Sequence, residues 1–215
     1  NHARVGSSTG YMIESRGNWP DLVEQALAVS STAAELAALS EEELPGLVDY
    51  LAARPELPFQ YLSVHAPSKG RRMPEAELVS LLQGISPRVD SIVVHPDILK
   101  DLSCWTTLGR RLVIENMDAR KPLGQTADDL ARFFDALPEA RLCLDVAHAS
   151  VVDRTMAVAL ELLDRFGPRL RHLHVSSLDS EQHHVTLTAE DEARFAEVLD
   201  RCRDVPWILE ASPFG

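Results

Sequence analysis

The chain has 215 residues, 45% hydrophobic and 25% charged, a balance that suits one globular domain with a full core, expected here over residues 1–215. Its 21 basic against 33 acidic side chains leave a formal charge of −12, which argues against the broad basic surface most nucleic-acid binders present. No apolar run approaches the ~20 residues that span a bilayer, and Asn1–Gly10 shows no basic stretch leading into an apolar one. Cys104, Cys143 and Cys202 form no CxxC and no even set, so a reduced, cytoplasmic protein without a membrane partner is expected.

In chain order, short apolar strands alternate with amphipathic helical stretches. Strands are predicted at Arg4–Thr9, Thr32–Leu36, Gln60–His65, Ser91–His95, Arg111–Glu115, Arg141–Asp145, Leu170–His174 and Pro206–Glu210. Helices are predicted near 20–29, 41–53, 74–83, 98–107, 127–136, 154–165 and 189–202. Thr126 with Asp129, and Thr188 with Asp191, have the spacing of a capping box with Asp in place of Glu. Pro20 and Pro74 suit first-turn positions, and Gly167 suits the residue just past a helix end. Alternation of this kind builds parallel βαβ units, and eight of them predict an α/β (β/α)8 TIM barrel with short loops and a last helix missing or truncated. The rival, an open doubly wound sheet, lacks a GxGxxG or P-loop after any strand.

The chemistry sits at the strand ends. Strands three to eight end in His65, His95, Glu115, Asp145, His174 and Glu210, with His148 three residues after Asp145. Alternate side chains of a barrel strand point inward, so one parity brings all six to the C-terminal mouth and sets Ser63, Val93, Val113, Cys143, His172 and Ile208 one layer deeper. A single such residue is commonly a hydrogen-bonded structural group. Six at equivalent positions are a different matter, because buried carboxylates repel or protonate unless a cation neutralises them. Imidazole and carboxylate are ordinary ligands for divalent transition metals. His172 reads as a buried, hydrogen-bonded residue beneath His174, His183 as an exposed loop residue and His2 as a terminal bystander.

The strings SVHAP, VVHPD, VIENM, LDVAH, HLHVSS and ILEAS, in that order, resemble the xylose isomerase-like TIM barrel superfamily, which includes sugar isomerases and epimerases and the endonuclease IV family. The resemblance covers nearly the whole chain. It implies that Glu115, Asp145, His174 and Glu210 bind one ion in the manner of the isomerases, with Glu115 and Glu210 also the acid/base pair and His148 steering a substrate oxygen. The endonuclease IV pattern implies a second ion on His65 and His95, and a third on His148 with an Asp-x-His pair after strand seven. That loop reads Glu181-Gln182-His183-His184. With His184 as the ligand, Gln182 stands where Asp is expected, and Glu181 offers a substitute only by a one-residue shift. Glu35, in AELAAL, resembles a recurrent acidic residue of the sugar-processing members, implying a substrate contact. A solvated or helix-contacting strand residue is the alternative.

The reading placed first is a divalent-metal-dependent isomerase or epimerase of a sugar or sugar-like small molecule, using Zn, Mn or Fe, with one to three ions. An endonuclease IV-like phosphoesterase is the alternative, favoured by His65 and His95. The basic residues Lys69, Arg71 and Arg72 after strand three, and Arg120 and Lys121 after strand five, would suit a phosphorylated substrate, or are solvated loop charge. Oxidative chemistry at multinuclear iron and a binding barrel without activity also remain open.

Overall fold

The computed structural model describes residues 4–214, so His2 lies outside it. Eight parallel strands close into a barrel: β1 Val5–Ser8, β2 Ala33–Ala37, β3 Tyr61–His65, β4 Ser91–Val94, β5 Leu112–Glu115, β6 Arg141–Asp145, β7 Leu170–Val175 and β8 Trp207–Leu209. Each strand pairs with its neighbours in sequence order, and β1 pairs with β8 to complete the ring. The outer layer is α1 Trp19–Val29, α2 Glu43–Ala52, α3 Glu75–Gln83, α4 Leu102–Trp105, α5 Ala127–Ala136, α6 Val146–Val152, α7 Ala157–Phe166 and α8 Ala189–Arg201. Among the described residues no helix follows β8. None is long and apolar enough to cross a membrane.

Strand alternation divides the core in two. Leu112, Ile114, Leu142 and Leu144 point outward into the main cluster shared with the helices, whereas Val93, Val113 and Cys143 form a separate cluster inside the barrel. Ala33, Tyr61 and Ile208 make a further inner cluster. This is the parity the sequence predicts, and it fixes which strand-end residues face the mouth. Gly6 allows β1 and β2 to close together, since a Cβ there would lie 2.0 Å from the Ala33 carbonyl oxygen.

The caps follow local chemistry. At α5, Thr126 accepts from the Asp129 backbone N–H at 3.2 Å and the Asp129 carboxylate accepts from the Thr126 N–H at 3.2 Å, a reciprocal box. Leu130, Phe133 and Phe134 then share the buried face of that helix. At α8 only half the box forms: Thr188 accepts from the Asp191 N–H at 3.1 Å, but its own N–H donates to Ser177 Oγ. α7 ends at Phe166 with Gly167 just past it, as expected, though Gly167 is right-handed (φ −50°) and leads into a 3-10 turn over Gly167–Arg169. Two expectations are corrected. The helix expected over 98–107 is broken into a 3-10 turn at Pro96–Ile98, the short α4 and a 3-10 segment over Thr106–Arg111. Finally, α6 follows β6 without a loop, where the sequence predicted no helix.

Candidate metal centre

Each ligand-type side chain is placed by a strand end and held by a neighbour. Asp145 ends β6 and caps α6, its Oδ1 accepting from the His148 N–H at 2.8 Å. That single turn brings His148 back over the mouth. Asn116, just past β5, clamps the adjoining strand end: its Oδ1 accepts from the Asp145 N–H at 2.7 Å and its Nδ2 donates to the Asp145 carbonyl at 3.0 Å. A two-stranded antiparallel ribbon, Ser177–Leu178 with His184–Val185, carries His184 back toward the site, where His184 Nδ1 lies 2.7 Å from Ser176 Oγ and 3.3 Å from Glu210 Oε2.

Glu115 is the hub, with 1% of its side chain exposed. Its Oε2 lies 3.2 Å from His65 Nε2 and 3.3 Å from His95 Nε2. Its Oε1 lies 3.3 Å from both His174 Nδ1 and His148 Nδ1. Glu210 Oε1 is 3.3 Å from the same His174 nitrogen. Among the described residues four groups have ligand atoms within 4.8 Å of one another: Cys143, His172 and His174 lie deeper in the barrel, and three sit at the mouth, namely His65, His95 and Glu115; Glu115, Asp145, His174 and Glu210; and Asp145, His148 and His184. In the mouth, Glu115 is common to the first two groups and Asp145 to the last two.

The electrostatics test whether this set fits cations. His65 Nδ1 lies 2.8 Å from the Ala66 carbonyl and His148 Nδ1 lies 3.0 Å from the Asn116 carbonyl. A carbonyl only accepts, so these nitrogens are N–H and each neutral ring turns an Nε2 lone pair away from it. His65 Nε2 then faces a carboxylate oxygen, acceptor to acceptor, an arrangement that needs a cation or a proton between them. Asp145 Oδ2, Glu210 Oε2 and His95 Nδ1 are buried without hydrogen-bond partners. In the metal-free protein, protons take the cation's place. Burial and the nearby Asp145 and Glu115 carboxylates push the Glu210 carboxyl well above its ordinary value. Burial opposes charge on His65 and His174, but the surrounding carboxylates outweigh it and raise both. Burial likewise opposes charge on Glu115, and His174 and His95 outweigh it to hold that carboxyl well below its usual range. The donors thus suit a divalent ion of the zinc, manganese or iron type.

Other predicted residues fall elsewhere. His172 is fully buried with Nδ1 2.7 Å from the Tyr61 hydroxyl, and His183 is exposed, both as expected. Glu35 is neither solvated nor directed at the helices: it is buried inside the barrel, 2.8 Å from Ser63 Oγ and 3.2 Å from His174 Nε2. Arg71 is paired with Glu41 at 2.6 Å, Lys121 with Asp97 at 2.7 Å and Arg120 with Asp118 at 2.9 Å, while Lys69 and Arg72 are exposed. Gln182 adopts a left-handed backbone (φ 64°), and its buried Oε1 has no partner. Its carbonyl accepts from Arg120 at 3.1 Å. Sequence reading assigned no role to Asn116 or Asp118. Asn116 was legible only as the residue after Glu115, and Asp118 lies 3.8 Å from His148 Nε2.

Comparison with solved structures finds the same fold at low identity. The crystal structure described as AsfvAP:AG aligns with a TM-score of 0.57 at 13% identity, covering 99% of this chain and 92% of that one. A xylose isomerase domain protein from Planctomyces limnophilus aligns with a TM-score of 0.53 at 14% identity, covering 97% of this chain and 90% of that one. No curated protein matches. The family described as xylose isomerase-like TIM barrel matches residues 100–211, which hold β5 to β8 and five of the strand-end ligand residues and loop histidines named above together with Glu210. With the closed barrel and the converging His, Glu and Asp side chains already in place, the chain belongs to the xylose isomerase-like TIM barrel family.

Proposed function

We propose that the chain is a divalent-metal-dependent enzyme that holds at least two ions side by side and hydrolyses a phosphate ester of a small molecule. One observation carries this reading: the two oxygens of Glu115 serve different ligand groups, one facing His65 and His95, the other facing His174. A carboxylate divided in this way could hold a cation on each oxygen, and two adjacent ions would suit in-line displacement at phosphorus, where attacking and leaving oxygens both carry charge. Bound divalent ions would supply Lewis acidity and charge neutralisation. The chain's own residues would do the rest. His65, His95 and Glu115 hold one side, Asp145, His174 and Glu210 the other, and Asn116 keeps the ends of β5 and β6 in register. The family includes metal-dependent isomerases, epimerases and AP endonucleases. The formal charge of −12 favours a small substrate over DNA.

The second reading is the isomerase or epimerase, and a separate observation favours it. Glu115 and Glu210 belong to the same four-ligand group, together with Asp145 and His174. Two carboxyl groups in one site suit removing and returning a proton next to a carbonyl. One experiment separates the readings: protein reconstituted with zinc or manganese is offered a panel of small phosphate monoesters and diesters and a panel of ketoses in D2O. Inorganic phosphate or alcohol release supports hydrolysis. Deuterium incorporation next to the sugar carbonyl without phosphate release supports the second reading and overturns the first.

A further inference from the structure

We propose that Glu35 is a positioning residue, whose carboxylate fixes the tautomer and orientation of His174 from beneath the mouth. The inference rests on the reading of His174 as a metal ligand. Glu35 sits on β2, separated from β7 around the ring by β1 and β8, and is fully buried. Both its oxygens lie 3.2 Å from His174 Nε2. A carboxylate only accepts, so Nε2 carries the hydrogen. The opposite nitrogen, Nδ1, is then left to face Glu115 Oε1 and Glu210 Oε1, each at 3.3 Å.

The neighbours of Glu35 sharpen the assignment. Ser63 Oγ donates to Glu35 Oε2 at 2.8 Å. His172 Nε2 also approaches that oxygen, at 3.7 Å, but does not donate. The Tyr61 hydroxyl donates to Ser91 Oγ at 2.8 Å, so the 2.7 Å contact between Tyr61 and His172 Nδ1 takes its hydrogen from His172. A neutral His172 therefore has no hydrogen on Nε2, which is buried without a partner. The Glu35 charge is thus directed at His174 alone among the histidines below the mouth. A carboxylate on the far nitrogen of a ligand imidazole raises its basicity and removes its rotational freedom, and loss of such a partner typically costs roughly 10–100-fold in metal affinity.

The test uses the full chain with zinc alone. In wild-type protein labelled with 15N-histidine, zinc-bound His174 is expected to show a protonated Nε2 and a coordinated Nδ1. Glu35→Gln keeps the size and one acceptor oxygen, and is expected to raise the zinc dissociation constant roughly 10-fold or more. A purely structural Glu35 would lower the melting temperature of the variant and leave the zinc affinity of the folded protein unchanged. Zinc binding by wild type with a protonated Nδ1 on His174, or a Glu35→Gln affinity within twofold of wild type, would overturn the inference and leave the metal centre standing. Absence of zinc binding by wild type would overturn both. The spectrum of the wild type decides the case even if the variant fails to fold.

Discussion

Asp145→Asn separates the two tasks this residue performs. As a cap, the side chain accepts from the His148 N–H at 2.8 Å, and Asn serves as well as Asp in that role. As the ligand proposed to be shared by two groups, it contributes a charge among Glu115 and Glu210, with ligand atoms within 4.8 Å. At an effective dielectric of about 20, a pair of like charges 4.8 Å apart costs on the order of 3 kcal/mol. His148 Nδ1, 3.2 Å from Asp145 Oδ2, offsets part of that cost. For a chain of 215 residues, 1 kcal/mol corresponds to roughly 2–4 °C in Tm. Calorimetry in a chelator should therefore show Asp145→Asn melting a few degrees above wild type. Asp145→Ala should fall below the Asn variant by about 1 kcal/mol for the lost cap. Adding zinc should reverse the order, raising wild type more than either variant, in which only the His65, His95 and Glu115 position is kept. An Asn variant less stable than wild type in chelator, or one that binds zinc with wild-type affinity, would refute the reasoning.

The raised Glu210 carboxyl sets a pH dependence. Between the ordinary carboxyl value of 4.5 and its raised value, the folded protein binds a proton that the unfolded chain does not. Metal-free stability should fall as pH rises through that window, and a pH series of melts in chelator showing a rise there would contradict the assignment. Zinc binding at neutral pH should release protons, seen as a calorimetric heat that scales with buffer ionisation enthalpy. Gly6→Ala places a Cβ 2.0 Å from the Ala33 carbonyl oxygen and should cost about 3 kcal/mol or more, measured by urea denaturation. Gln182→Asp is tolerated by the left-handed backbone and should raise metal occupancy by mass spectrometry; no gain would mean that this loop adds no ligand to the third group.

The barrel and the convergence of ligand-type residues at its mouth were legible because both follow a period of two. Strand ends such as Val113-Ile114-Glu115 and Cys143-Leu144-Asp145 alternate between the inner clusters and the helix layer, and the structure keeps that alternation. What escaped was set by partners distant in sequence or by caps. α6, with the sequence VAHASVV, carries small and β-branched residues and no amphipathic pattern; it forms because Asp145 caps it and the barrel buries it. Glu35 gave no sign of its environment because its partner His174 lies 139 residues away. The ion pair of Arg71 with Glu41 at 2.6 Å was hidden because the two stand 30 residues apart.

The most direct test of the account is the number of ions bound per chain, read by native mass spectrometry on protein stripped with chelator and reloaded with zinc. The shared Glu115 and Asp145 predict two or more ions, with only the His65, His95 and Glu115 position surviving in Asp145→Asn. A single ion at saturation, or a stoichiometry that Asp145→Asn leaves unchanged, would contradict the bridged centre.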